Sequence, residues 1–577
     1  MVRLPFVQRY VPRRNLPIAD LSLLLGTLAL LYVIAKVGSG FFVSFRPPLN
    51  QPSVSLDPWN LPYYAARSTL RMFIALVASV IFTLAYGYAA AKSPVAERIL
   101  VPLLDILQSV PVLAFLSITV TGFMAMFPGS LFGLELASIF AIFTGQAWNM
   151  TFSFYNSLIT MPKELEEAAT VFRFSKWRRF ISVEVPASMI GLVWNGMMSF
   201  GGGWFFLAVS EAISVNKQNY TLPGIGSYVA KAIDAKDTPA LAWAILTMIV
   251  TIVVVDQFFW RPVVAWAEKF RMDKSSASVR AESWAYDLMK AARLPAQFSR
   301  WWRRVRRKLP RIHRPAPPTW LQFRTRRRLR INSDLAASYF LGGVTVIGLY
   351  EGFHFVTTEV NGAEVGHVVL LGVYTLIRVL VLLAVSCLVW VPIGVAIGFN
   401  PKLAKIAQPL CQIGASFPAN FLFPLATIVF LKVRLSLDVG SVFLMALGAQ
   451  WYILFNAIAG AMAVPNDLRE MAATMRLKGW TLWKKLILPA IFPFLVTGAI
   501  TASGGAWNAS IVSEVVTWGS HTLTAQGLGS YIAAATAKGD MSRTVLGVGI
   551  MCVFVVCFNR FFWRRLYTLA ETRYRLG

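Results

Sequence analysis

Apolar residues in this chain run in long blocks. These runs recur throughout the sequence and mark an integral membrane protein. About twelve blocks can each cross roughly 30 Å of hydrocarbon as a helix. In the N-terminal half they cover roughly 19–42, 66–91, 99–127, 132–159, 187–212 and 238–260. In the C-terminal half they cover roughly 336–356, 369–399, 407–431, 437–460, 488–513 and 541–563. The stretches between blocks alternate in charge. Lys92 and Arg98 follow the second block, 128–134 is uncharged, and Lys163, Arg173, Lys176, Arg178 and Arg179 follow the fourth. Lys402, Lys405, Lys484, Lys485, Arg564 and Arg565 fall on the same side in the second half. By the positive-inside rule these loops, both termini and the basic arm 1–17 are cytoplasmic. The 213–237 loop, with Lys217, Lys231 and Lys236, fits the rule least well. The block beginning near Asp20 is long enough to span and ends without a small-residue cleavage site, so it is expected to persist as a helix. The fold class expected is therefore an all-α integral membrane protein.

One polar stretch occurs twice. MPKELEEAATVFRFSKWRRFISVEVPAS (Met161–Ser188) returns as VPNDLREMAATMRLKGWTLWKKLILPAI (Val464–Ile491). With Pro162 on Pro465, Glu167 meets Glu470, Trp204 meets Trp507, Glu211 meets Glu514 and Trp260 meets Trp563. The register holds without a gap from Trp148/Trp451 to Arg261/Arg564, which makes the chain a tandem duplication. Its plan is a basic arm (1–17), a first repeat (18–263), a basic linker (264–335) and a second repeat (336–577). Six spans per repeat is an even number. The repeats then run parallel about a pseudo-two-fold axis along the membrane normal, with a pathway expected between them.

Composition sharpens this picture. The chain has 577 residues, 56% hydrophobic and 14% charged, far below the charge of a soluble protein. The net charge of +28 is held in loops, and no recognition fold accompanies it, so nucleic acid is not an expected partner. The linker carries Trp301–Lys308 and Arg324–Arg330 as basic runs broken by prolines. It reads either as a solvated tether or as an interfacial segment with Trp284, Trp301 and Trp302 at headgroup level and arginines on anionic lipid. Cys387, Cys411, Cys552 and Cys557 have no metal-ligand spacing and read as small core residues. No metal site, no catalytic triad and no GxxxxGK[ST] phosphate loop are present in the sequence, so ATP hydrolysis is not expected on this chain.

The duplicated stretch has one anatomy. A proline ends an apolar block. An acidic helix start follows (Glu164, Glu166, Glu167; Asp467, Glu470), favourable at a helix N-terminus. Small residues come next (Ala168, Ala169; Ala472, Ala473), then a basic aromatic patch, then a second proline. This resembles the signature loop of ABC-importer permeases, Glu-Ala-Ala, three residues, Gly, then a hydrophobic run to Leu-Pro. Glu167-Ala168-Ala169 leads here to Val185-Pro186, and Glu470-Met471-Ala472 to Leu488-Pro489. Thr69-Leu70-Arg71 and Thr375-Leu376-Ile377-Arg378, the Trp204…Glu211 and Trp507…Glu514 spacings, and Gly224/Gly226 with Gly527/Gly529 point to the nitrate/sulfonate/bicarbonate branch, in a fused, duplicated form. The resemblance implies two coupling helices, two ATPase subunits carrying ATP and Mg²⁺, an extracytoplasmic solute-binding protein, and a bacterial inner membrane. This chain itself would bind no cofactor. Where the family carries its Gly this chain has Arg173 and Arg476. Gly permits a helix break that Arg tolerates poorly, so a longer or differently bent coupling helix is expected.

Inside the blocks, Glu211 and Glu514 read either as solvated at the outer ends or as gate elements meeting across the axis. Arg71 and Arg378 read either as anion attractors or as side chains snorkelling to headgroups. Asn149, Asn195 and Asn508 are candidate pathway residues or helix–helix contacts. Gly201–Gly203, Gly504 and Gly505 suggest close packing or a hinge near the axis. Two rival functions fit the topology. One is a secondary transporter of six-plus-six spans. The other is a membrane receptor or scaffold that recruits partners through its linker.

Overall fold

The computed structural model describes residues 17–45, 52–109, 111–215, 218–270, 283–291, 342–343, 346–354, 357–358 and 360–574. The basic arm before residue 17, most of the linker and much of the span expected at 336–356 lie outside them. Among the described residues eight helices are long and apolar enough to cross a membrane; Leu24–Phe42, in the first span, is one of them, and Phe132–Ile159 is not. The second spans are Leu61–Lys92 and Gly362–Gly398, and the fourth are Phe132–Ile159 and Leu437–Ala463. The fifth spans contain Val185–Ser210 and Leu488–Ser513, and the sixth contain Thr238–Val255 and Met541–Phe558.

The third spans differ from the expectation. Neither 99–127 nor 407–431 is one helix. The first divides into Pro94–Ser109 and Leu116–Met126, the second into Pro401–Ser416 and Phe423–Val433. Each break sits at a proline, Pro111 and Pro418, with a short 3-10 turn after it (Val112–Phe115; Ala419–Phe421). Proline has no N–H to donate and pushes its predecessor out of the helical region. Broken backbone at membrane depth survives only where protein satisfies it. Here the Val112 N–H donates to Asn508 Oδ1 of the other half at 2.8 Å.

Four π-turns mark the fifth and sixth spans: Phe180–Glu184, Asp256–Trp260, Trp483–Ile487 and Asn559–Trp563. They form two pairs at the repeat offset. Pro186 and Pro489 follow the first and third, where a missing N–H loosens the preceding turn. The fourth is followed by Arg564 and Arg565, so proline alone does not set this geometry.

The stretch expected as a plain loop after the fifth span is an antiparallel hairpin in both copies. Strands β1 (Ala212–Val215) and β2 (Gln218–Thr221) pair in the first half, β3 (Val515–Trp518) and β4 (His521–Thr524) in the second. The halves interlock reciprocally. The broken third span of the first half packs on the fifth and sixth spans of the second, and Pro401–Ser416 packs on the fifth and sixth spans of the first. Strand β1 meets helix Leu528–Lys538, and β3 meets helix Ile225–Asp234. Each half offering the same surface to the other is what a two-fold relation requires. At the β3–β4 turn, Gly519 (φ 59°) donates its N–H to Ile233 O of the first half at 3.1 Å.

Candidate functional site

Two paired structures stand at opposite ends of the fifth spans. At the N-terminal end are the duplicated knobs. Helix Lys163–Val171 is followed by Lys176–Arg179, and helix Asn466–Thr474 by Gly479–Leu482. Each acidic helix is nine residues long and stops at an arginine in the left-handed region, Arg173 (φ 48°) and Arg476 (φ 53°). The expected lengthening does not occur. The break that Gly would permit is made by Arg, held by closing bonds from Phe174 N to Ala169 O (3.0 Å) and Leu477 N to Ala472 O (2.9 Å). Ala169 and Ala472 are buried against the bundle. Glu164, Glu167, Ala168, Asp467 and Glu470 are exposed. Apolar side chains share that exposed face: Phe172 and Trp177 in one copy, Met475 and Trp480 in the other. Exposed large apolar groups beside carboxylates suit a protein partner better than bare solvent.

Behind the knobs the copies diverge. Lys92 reaches Glu184 at 2.8 Å and Glu166 at 3.5 Å, while Arg179 pairs with Glu184 at 2.9 Å and also with Glu166. The equivalent residues of the second copy are Phe399, Ile487, Arg469 and Leu482. There Arg469 stacks over the Phe399 ring at 4.2 Å and donates to Ala461 O at 2.7 Å.

At the other end lie two buried charge clusters. Glu211 accepts from Ser68 Oγ (2.5 Å), Arg71 Nη1 (2.6 Å) and the Gly226 N–H (2.6 Å). Arg71 also binds both Glu135 oxygens, at 2.5 and 2.8 Å, and Arg67 pairs with the same carboxylate. Glu514 accepts from Thr375 Oγ1 (2.8 Å), Arg378 Nη1 (3.1 Å) and the Ser530 N–H (3.1 Å). Arg378 reaches Asp438 at 2.7 Å. The solvated reading of the two glutamates is corrected. Neither glutamate is solvated, and the hydrogen bonds found on each stay within its own half. Arg71 and Arg378 are each engaged by an acid that the fourth span brings to them, Glu135 and Asp438, and by the glutamate of the fifth span. The clusters instead fasten the loop after each hairpin. A Cβ on Gly224 or Gly527 would stand inside the glutamate carboxyl, so the Gly-x-Gly pattern reflects close approach with ordinary extended backbone.

The remaining candidates separate. Trp204 and Trp507 are buried in the hydrophobic cores of their halves. Asn195 Nδ2 donates to Ser153 Oγ at 2.9 Å and joins two helices. Asn508 closes the seam at Val112, and Asn149 is half-buried in the fourth span. Arg67, Ser68, Glu135 and Asp438 also carry the clusters and are missed by the sequence reading, while Thr375 enters there only as part of the Thr375–Arg378 motif. The repeat offset was the available signal: Glu135 and Asp438 are acids at the same register, and Ser68 and Thr375 each stand three residues before the arginine.

The family model described as "Binding-protein-dependent transport system inner membrane component" matches residues 79–259 and again 390–576. The bicarbonate transport system permease protein CmpB of Synechococcus elongatus is 25% identical over 178 residues, 31% of this chain and 61% of that protein. The nitrate import permease protein NrtB of a Synechocystis strain is 23% identical over 201 residues, 34% of this chain and 70% of that one. The putative aliphatic sulfonates transport permease protein SsuC of Bacillus subtilis is 28% identical over 162 residues, 28% and 55% respectively. The chain thus spans about three fifths of the length of the first of these relatives. Two matches, placed one in each repeat and together covering more than half of the sequence, mean that this chain belongs to the family of inner membrane components of binding-protein-dependent transport systems, with two copies fused in one polypeptide.

Proposed function

We propose that this chain supplies both transmembrane halves of an ATP-driven importer for a small anion of the nitrate, sulfonate or bicarbonate class. The observation that carries the reading is the pair of knobs. Both expose carboxylates and large apolar side chains at equivalent positions, and both end at a left-handed arginine. One ATPase subunit docks on each knob, with ATP and Mg²⁺ held by those subunits. A soluble binding protein delivers the solute to the hairpin side, and both termini lie with the knobs in the cytoplasm. Closure of the ATPases swings the halves as rigid bodies and alternates access to the axis. The anion class rests on what the relatives are named for. The composition of the linker's basic runs, which fall outside the described residues, suits binding to anionic lipid. The described linker helix Trp284–Ala291 supports an interfacial position, since exposed Trp284 sets its ring edge-on to Phe258 at 5.3 Å.

The test is ATPase association. Glu167→Arg and Glu470→Arg should each weaken it by about 2–5 kcal/mol, the loss expected when a charge-assisted interface contact is reversed. The double variant should lose it altogether. A double variant that still co-purifies with stoichiometric ATPase and supports normal uptake would falsify the docking. Gradient-driven uptake by the wild-type chain alone would instead favour a secondary transporter.

A further inference from the structure

The two fifth spans carry glycines at equivalent positions, Gly202 and Gly505. One side chain lies against both. The Tyr452 hydroxyl is 3.3 Å from where a Cβ of Gly202 would stand, and its ring Cε2 is 3.7 Å from the same point on Gly505. A group that touches equivalent points of two repeats related by a two-fold must lie close to that axis. Tyr452 also sits well inside helix Leu437–Ala463, as Gly202 does inside Val185–Ser210, so the contact is deep in the membrane-spanning part of the bundle. The neighbouring Gly201 brings the same span against Ser416, at the broken third span of the other half. No hydrogen bond from the Tyr452 hydroxyl is found among the described residues. The equivalent position of the first repeat is Asn149, so the second repeat alone supplies an aromatic ring here.

We propose that Tyr452 is the constriction of the transport pathway, a single phenol that closes the axis between Gly202 and Gly505. This rests on the reading that solute passes between the halves. The chemistry suits the solute class: a phenol O–H donates one hydrogen bond to a passing oxyanion and carries no charge that would hold it. The glycines matter because they leave room for the ring. A Cβ at Gly202 would press on the hydroxyl, while separation of the fifth spans would free it.

The test uses the full chain, purified and reconstituted alone into liposomes, with passive chloride efflux followed by electrode. Tyr452→Ala should raise efflux at least tenfold over wild type, and Tyr452→Phe, which keeps the ring, should stay within twofold. In the complete transporter, Tyr452→Phe should lower solute uptake, because the donor is gone. A folded Tyr452→Ala variant as tight as wild type overturns the proposal. If that variant does not fold, Tyr452→Cys in a chain whose four native cysteines are replaced by serine decides instead. A membrane-impermeant thiol reagent should reach it from one side only. Labelling from both sides, or from neither, overturns the constriction. The efflux assay contains no ATPase, so failure of the importer reading appears in co-purification and failure of the constriction appears in flux.

Discussion

The clusters around Arg71 and Arg378 have the same parts at the same register but differ in charge balance and in contact with water. In the first half two arginines face two glutamates, and Glu135 is fully buried. The Phe41 ring lies 5.0 Å from the Arg67 guanidinium, and the Gly40 carbonyl accepts from it at 3.2 Å. In the second half Tyr374 stands where Arg67 would be. One arginine then serves two acids, and Asp438 is 50% exposed. The difference shows what burial demands of a charge. A carboxylate sealed from water needs its full set of charged donors from protein, whereas one at the surface takes part of its solvation from water.

That comparison can be broken by removing the arginine from each cluster. Arg71→Met leaves two buried carboxylates with one cation between them and should cost about 3–5 kcal/mol. Arg378→Met strips the buried Glu514 of its arginine but leaves it Thr375 and a backbone donor, and lets the half-exposed Asp438 hydrate, so it should cost about 3 kcal/mol, the low end of the same range. Thermal unfolding of the purified variants in detergent measures both. Equal losses would mean that exposure of Asp438 has no energetic consequence.

The supports behind the knobs sharpen the same contrast on a smaller scale. Lys92→Ala leaves the buried Glu184 with Arg179 as its one cation and should cost about 1–3 kcal/mol. Arg469→Ala removes a ring contact and a bond to a carbonyl and should cost about 1 kcal/mol. Limited proteolysis at each knob reads the two separately. If the second knob loosens more than the first, the ionic support is not the stronger one.

An effect as small as that of Arg469→Ala belongs to the sixth-span caps. Asp237 accepts from the Ala240 N–H at 2.9 Å and Asp540 from the Arg543 N–H at 3.0 Å. Replacing either with Ala should cost about 1 kcal/mol, visible as a small shift in melting temperature. The caps differ in their response to acid. The Arg543 backbone N–H, with its side chain, holds the Asp540 carboxyl below its ordinary value of 3.8. Its stabilisation is therefore complete above that value and fades as pH falls through the lower folded value. A melting curve of wild type against Asp540→Ala that keeps a constant gap down to pH 3 would exclude this.

What could be read from sequence follows the range of each interaction. Span positions depend on local apolar runs, and most were placed. The duplication gave the paired knobs because their residues are consecutive. The clusters were only half legible. Arg71, Glu211, Arg378 and Glu514 stood out as charges in apolar blocks, but their mutual pairing joins residues more than a hundred positions apart. Without the partners, sequence offers gate and anion roles for these side chains and leaves their hold on the loops invisible. The third spans look continuous in sequence because hydropathy averages over a proline, although Pro111 and Pro418 are local signals that argue for a break. The left-handed arginines ran against propensity, and closing backbone bonds, which residue type does not encode, supply the compensation.

The bond between Val112 and Asn508 joins residues 396 positions apart. A ribosome adds roughly 5–20 residues per second, so the amide at Val112 is made roughly 20–80 s before the side chain that satisfies it exists. During that interval the nascent first repeat holds a bare donor at membrane depth and must keep it near water, lipid headgroups or an insertion factor. Fusion of the repeats shortens this exposure to the time needed to finish one polypeptide. Separate permease subunits must instead find each other by diffusion in the bilayer, at whatever concentration the cell supplies. The covalent linker thus acts first on biogenesis: it turns a search between molecules into the completion of a single chain.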